Sequence, residues 1–207
     1  VMATLVVGPF YLSRALGLPA ALVGLVLSAG PLVSALTVVP AGRLVDHFGA
    51  QRMTIVGLSG IALGSSILAI MPATFGILGY VSPIVVITSG YAMFQAANNT
   101  AIMAAIRPDQ RGVVAGMLGL SRNLGLITGA SVMGAVFALA SASSDITTAP
   151  PEAIAAGMRV TFAVAAGLVV VALVIALGSL ALLRSAGRQG LARTARAALG
   201  TLGILLA

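Results

Sequence analysis

Pro40-Ala41-Gly42-Arg43-Leu44-Val45-Asp46-His47-Phe48-Gly49-Ala50-Gln51-Arg52 is a short polar stretch between two long apolar runs. It holds two arginines, an aspartate and the only histidine of the chain. Its flanks are long enough to cross a bilayer, and charges lodged between such segments need a structural or functional reason.

Of the 207 residues, 59% are hydrophobic and 7% charged, and the mean hydropathy is +1.14. Soluble domains carry about 25% charged residues, and no soluble fold of this size hides so much apolar surface. The class is integral membrane and all-α, because the apolar runs are continuous and lack the dyad alternation of a barrel. The lipid bilayer is therefore the first partner. The 25 glycines suit helices packed through small residues. The net charge of +7 comes from arginine alone. Most of those arginines stand at the ends of spans, where they set orientation, so no nucleic-acid partner is expected. The absence of cysteine excludes disulfides, thiol catalysis and Cys-ligated metals. A single histidine builds no metal site, so neither metal nor cofactor is expected. With no Ser-His-Asp set, no His-Glu-x-x-His and no Gly-rich phosphate loop, the chain does not read as an enzyme.

A span needs about 20 apolar residues. Residues 1–13 are too few and start without a basic n-region, so they read as the second half of a span and the chain as a fragment. Further spans are expected at 20–44, 52–71, 80–106, 112–141 and 158–183. Pro31 should kink the second, where Gly24, Ser28, Pro31 and Ala35 form a small-residue stripe. Packing stripes are expected at Gly57, Gly60 and Gly64 of the third span, and at Gly125, Gly129 and Gly134 of the fifth. Residues 1–183 thus form a six-span bundle with a truncated first span. Residues 184–207 form a basic tail whose apolar end either lies on the membrane surface or is a cut segment. Nine arginines flank the 40–52 stretch, the 107–111 turn and the tail, against Arg14 and Arg159 on the other side. That count places the 40–52 stretch, the 107–111 turn and the C-terminus in the cytoplasm, and the 142–157 loop outside.

Inside the spans, polarity concentrates on the fourth. Thr88, Tyr91, Gln95 and Asn99 recur at steps of three and four, with Asn98 adjacent, so they share a helix side. Such a face either bonds to neighbouring helices or lines a substrate cavity. Arg122 and Asn123 lie well inside the fifth span. The arginine snorkels to the interface or faces a cavity or acidic partner. No Asp or Glu falls mid-span, so no proton-coupling carboxylate is evident.

These features together resemble the major facilitator superfamily. Gly42-Arg43-Leu44-Val45-Asp46-His47-Phe48-Gly49-Ala50-Gln51-Arg52 looks like its cytoplasmic signature Gly-x-Leu-x-Asp-Arg-x-Gly-Arg-Lys. It departs at His47, Ala50 and Gln51, as is usual in the C-terminal half of such transporters. Gly90 to Asn99, Arg111 to Gly116 and Ser121 to Gly125 look like the C-terminal half of the fourteen-span drug:proton antiporters, the multidrug-efflux branch. The resemblance implies two six-helix bundles built from inverted three-helix repeats, with a small organic substrate, often cationic or amphipathic, bound between them. By this resemblance the first and fourth spans line the cavity, the second and fifth form the moving interface, and the third and sixth support them. Gly42, Arg43, Asp46, Gly49 and Arg52 form the cytoplasmic motif, and Asp46 contacts a helix N-terminus or an arginine of the other bundle. The other bundle, the N-terminal one, is the missing partner. It would hold the coupling carboxylate, with the proton gradient of the plasma membrane as energy source. The expected function is proton-coupled efflux. The alternatives are a superfamily member importing a metabolite, or a non-transporting six-span scaffold or inactive remnant.

Overall fold

The computed structural model describes residues 2–141 and 149–205, with residue 105 and residues 182–205 described by backbone alone. The described chain is all helical. Helix α1 (Met2–Phe10) runs into a π-helical turn, Tyr11–Ala15, where the Ser13 hydroxyl donates to the Pro9 carbonyl at 2.7 Å. Gly17, at φ 66°, turns the chain towards α2 (Ala20–Phe48). Next come α3 (Ala50–Ile70), a 3-10 turn at Ala73–Phe75, α4 (Gly76–Ala105), a second at Pro108–Gln110, α5 (Arg111–Ala140) and α6 (Pro151–Leu205). By length and composition, five helices from α2 onward are long and apolar enough to cross a membrane.

Two sequence expectations are corrected. The 40–52 stretch is not a loop, since α2 continues through Pro40 to Phe48 and only Gly49 connects it to α3. Apolar anchoring explains this: Ala41 and Val45 are buried, and Val45 packs with Met53 of α3 and Ala97 of α4. The break falls at Gly49 because its φ of 88° lies where side-chain-bearing residues rarely go, and its N–H still closes onto the Val45 carbonyl at 2.9 Å. The sixth helix starts at Pro151 rather than 158. Proline suits the first helical turn, and Glu152 sits at the positive end of the helix dipole. The backbone of α6 also runs unbroken past 183 to Leu205, through the segment read as a tail. The part of the expected outer loop at 142–148 lies outside the described residues.

Helix α3 lies along α4 on one side and α6 on the other. Helix α2 packs mainly on α4, in the opposite half of the chain, while α5 packs on its own neighbour α6 and on α1. In lipid there is no hydrophobic gain from bringing helices together, so close van der Waals packing has to do it. Gly57, Gly60 and Gly64 of α3 meet Gly90, Pro83 and Ile87 of α4 almost backbone to backbone. A Cβ on Gly57 would sit 2.6 Å from the Phe94 nitrogen, and one on Gly64 would sit 2.9 Å from the Pro83 carbonyl oxygen. Around this seam Leu12, Leu68, Ile87, Phe137, Met158 and Phe162 form the main core. The buried hydroxyls of Ser141 and Thr161 donate back to the carbonyls four residues earlier, at 2.7 and 2.8 Å. Among the described residues no buried side-chain nitrogen or oxygen lacks a partner.

Packing on α5 is looser. A Cβ on Gly129 or Gly134 would meet Met2 or Val6 of α1 at ordinary distances of 3.8 and 3.6 Å, and one on Gly125 would meet nothing within 4 Å. Helices α2 and α5 are the least covered, with 11% of their most apolar windows buried against 39% for α3. The stripe of Gly24, Ser28, Pro31 and Ala35 lies on the exposed side of α2.

Gly90→Ala should therefore be costly. Its Cβ would lie 2.7 Å from the Gly57 carbonyl oxygen and 3.0 Å from the Ile61 nitrogen, both backbone atoms that cannot rotate away. We expect a loss of about 1–3 kcal/mol, read as a lower melting temperature of the detergent-purified protein. Gly24→Ala meets open space and should leave the melting temperature unchanged.

Candidate functional site

The helix pairing leaves α4 and α5 joined by a short turn and otherwise apart. Helix α4 is engaged with α2 and α3, and α5 with α1 and α6. Between α4 and α5 opens a cleft of about 640 Å³, within the range of small-molecule sites, about 300–1,000 Å³. Its α4 wall carries Tyr91, Phe94, Gln95, Asn98 and Asn99. Its α5 wall carries Ala115, Gly119, Ser121, Arg122, Gly125 and Leu126. Small residues at 115, 119 and 125 leave the room, because no side chain there reaches across to α4.

Tyr91, Gln95, Asn98, Asn99 and Arg122, separate in sequence, thus face one space. On this polar face the Gln95 amide donates to the Tyr91 hydroxyl at 2.7 Å, a bond within one helix that braces both side chains. Arg122 is the one charged residue of the lining. It stands eleven residues beyond the start of α5, or ~16 Å along the axis at ~1.5 Å per residue. Among the described residues the ion pair is Arg107–Asp109, at 3.7 Å on the exposed α4–α5 turn, and such surface pairs contribute little. Arg122 has no acidic partner there.

Thr88 belongs elsewhere. It lines a smaller cavity of about 200 Å³ between α1, α2 and α4, with Pro31, Ser34 and Tyr80, and Tyr91 is the wall common to both spaces. Asn123 is exposed and lines neither. The sequence reading missed Phe94, Leu118 and Gly119 on the cleft and Tyr80 behind it. Positions 115, 119, 122 and 126 follow helical spacing, which was the available signal on α5. Tyr80 had none. Its hydroxyl donates to the Thr4 carbonyl at 3.2 Å, and its ring stacks on Tyr11 at 5.9 Å between centroids. The motif residues lie at the α2–α3 junction: Arg43, Asp46 and Arg52 are exposed, and Gly42 has open space beside it.

Six apolar helical segments and a polar cleft open along one side are what a bundle of a membrane transporter would present. Sequence comparison agrees: residues 1–206 match the Major Facilitator Superfamily, and the chain belongs to it. It is 31% identical over 125 residues, 60% of its length, to an uncharacterized transporter, YebQ, of Escherichia coli (strain K12). The match spans 27% of that relative's length. No solved structure matches the chain significantly. The family match and the long apolar helices together make it a multi-pass membrane protein of that superfamily.

The cleft should be wet. This chain has no cysteine, so single cysteines placed in it report cleanly. Asn98→Cys and Asn99→Cys should react with a membrane-impermeant maleimide added on the side of the α4–α5 turn. Ile87→Cys, at a position 2% exposed, should stay unlabelled; equal labelling at all three would contradict the cleft.

Proposed function

We propose that this chain is the C-terminal bundle of a proton-coupled exporter of small organic compounds, working in the plasma membrane by alternating access. The observation that carries the reading is the convergence of Tyr91, Gln95, Asn98, Asn99 and Arg122 on one ligand-sized cleft. A second six-helix bundle would cover the exposed faces of α2 and α5 and close the cleft from the other side, with substrate held between the two. The acids among the described residues, Asp46, Asp109 and Glu152, all lie near helix ends. The coupling carboxylate is therefore assigned to the other bundle, and the proton gradient to the role of energy source.

The arginine distribution supports a cytoplasmic position for the α2–α3 junction, the α4–α5 turn and the C-terminus. Asp46 supports an interface role for the motif. It stands in the last turn of α2, where the helix dipole is negative and a carboxylate is disfavoured. A cation or helix N-terminus of the facing bundle would offset that cost in one conformation of the transporter.

Cells expressing the complete gene should accumulate less of at least one member of a panel of anionic, neutral and cationic fluorescent dyes. A protonophore should abolish the difference. Unchanged accumulation across the panel would sink the transport reading, and raised accumulation would point to import. Asp46→Asn should cut efflux several-fold at unchanged membrane abundance, measured by quantitative immunoblot; full turnover in that variant refutes the interface role.

A further inference from the structure

We infer that the cleft takes its cargo by an anionic group, a carboxylate, sulfonate or phosphate, held by Arg122, with the apolar body of the compound lying along Phe94 and Tyr91. The inference rests on the transport reading above and narrows its substrate class from organic compounds in general to acidic amphiphiles.

Charge is the first argument. Arg122 is the one charged residue lining the cleft, and the other polar side chains there (Tyr91, Gln95, Asn98, Asn99 and Ser121) are neutral. A cationic compound would meet a fixed positive charge and no acid on these walls. An acidic compound would find the countercharge that Arg122 lacks among the described residues. Position is the second argument. Arg122 stands eleven residues into an apolar helix, a depth at which a membrane would strengthen charge–charge interactions through its lower dielectric. A guanidinium presents a planar fork of donors that matches carboxylate, sulfonate and phosphate oxygens two at a time.

The α4 wall is arranged to help. Gln95 donates to the Tyr91 oxygen, so the phenolic proton is left to point elsewhere and can donate to an anion in the cleft. The Asn98 amide supplies two further donors. Apolar surface continues from Phe94 on the cleft to Tyr91, behind which lies the cavity lined by Leu27 and Ile84. Head and tail of an amphiphile therefore have separate, adjoining places.

The test uses the full-length transporter in proteoliposomes with an imposed pH gradient. The probes are tritiated naphthalenesulfonate and a size-matched cation, trimethyl(naphthylmethyl)ammonium, both permanently charged. The wild type should transport the anion in preference to the cation. Arg122→Gln should raise KM for the anion about tenfold or more, the scale of a lost hydrogen bond to a charged group, without weakening the cation's KM. Arg122→Lys should recover part of the loss. Asn98→Asp, which adds a like charge beside the anion at an unburied position, should act in the same direction as Arg122→Gln and guards against a folding defect in the arginine variants. Transport of the cation but not the anion overturns this inference and leaves the transport reading standing. Transport of neither probe, under conditions where the dye panel shows no efflux either, overturns both. Equal losses for the two probes in Arg122→Gln would assign the arginine to a protein carboxylate and overturn the inference.

Discussion

The contact between α3 and α4 carries the bundle. Membrane helices gain nothing from leaving lipid as apolar as themselves, so they hold together only where surfaces fit closely. Gly57, Gly60 and Gly64 against Gly90 bring two backbones within van der Waals reach. That closeness lets Ile87, Phe94 and Leu68 fill the flanks of the seam rather than hold the helices apart. Packing of α6 on the far side of α3 and of α2 on the near side of α4 follows from this central pair. So does the thin coverage of α2, which has one principal neighbour, and of α5, which packs lightly on α6 and α1; both leave the rest of their surface to lipid or protein.

The cleft is the other side of the same arrangement. Helix α4 packs on α2 and α3, and α5 on α6 and α1, so these two helices, joined by the short turn at residues 106–110, barely touch. An antiparallel pair linked this tightly would ordinarily pack. The sequence avoids that outcome by giving α4 a polar face that finds no partner on α5, and α5 a wall of Ala115, Gly119 and Gly125. Tyr91, bonded to Gln95 and shared by both cavities, sits where the polar and apolar spaces meet.

Much of this was legible from the residues. Twenty-residue apolar runs announce spans, and the three- and four-residue steps of Tyr91, Gln95 and Asn99 announce a polar helix face. The errors have physical causes. The stretch from Pro40 to Phe48 looks like a loop because its residues are polar, yet polar residues at a helix end near the interface remain helical when Ala41 and Val45 anchor one side. Pro150-Pro151-Glu152 looks like a loop for the same reason, although proline and an acid are helix-start signals. Thr88 fell into a different cavity from Gln95 because two helical turns, ~10 Å, separate them. Asn123 follows Arg122 by one residue, a rotation of about 100°, and so misses the cleft. The α5 wall carried little signal because alanine, glycine and leucine occur everywhere in such a chain.

The single-residue connection at Gly49 has a mechanical meaning. Two long helices joined by one residue, with the Val45 carbonyl still bonded to the Gly49 amide, have no slack between them. Helix α2 cannot slide along its axis without dragging α3, and α3 is keyed by its glycines into α4. A push applied at the end of α2 is thus delivered to the centre of the bundle rather than absorbed at the elbow. The frame answers as one stiff lever, and an exposed charge such as Asp46, mounted at that elbow, acts on the whole of it.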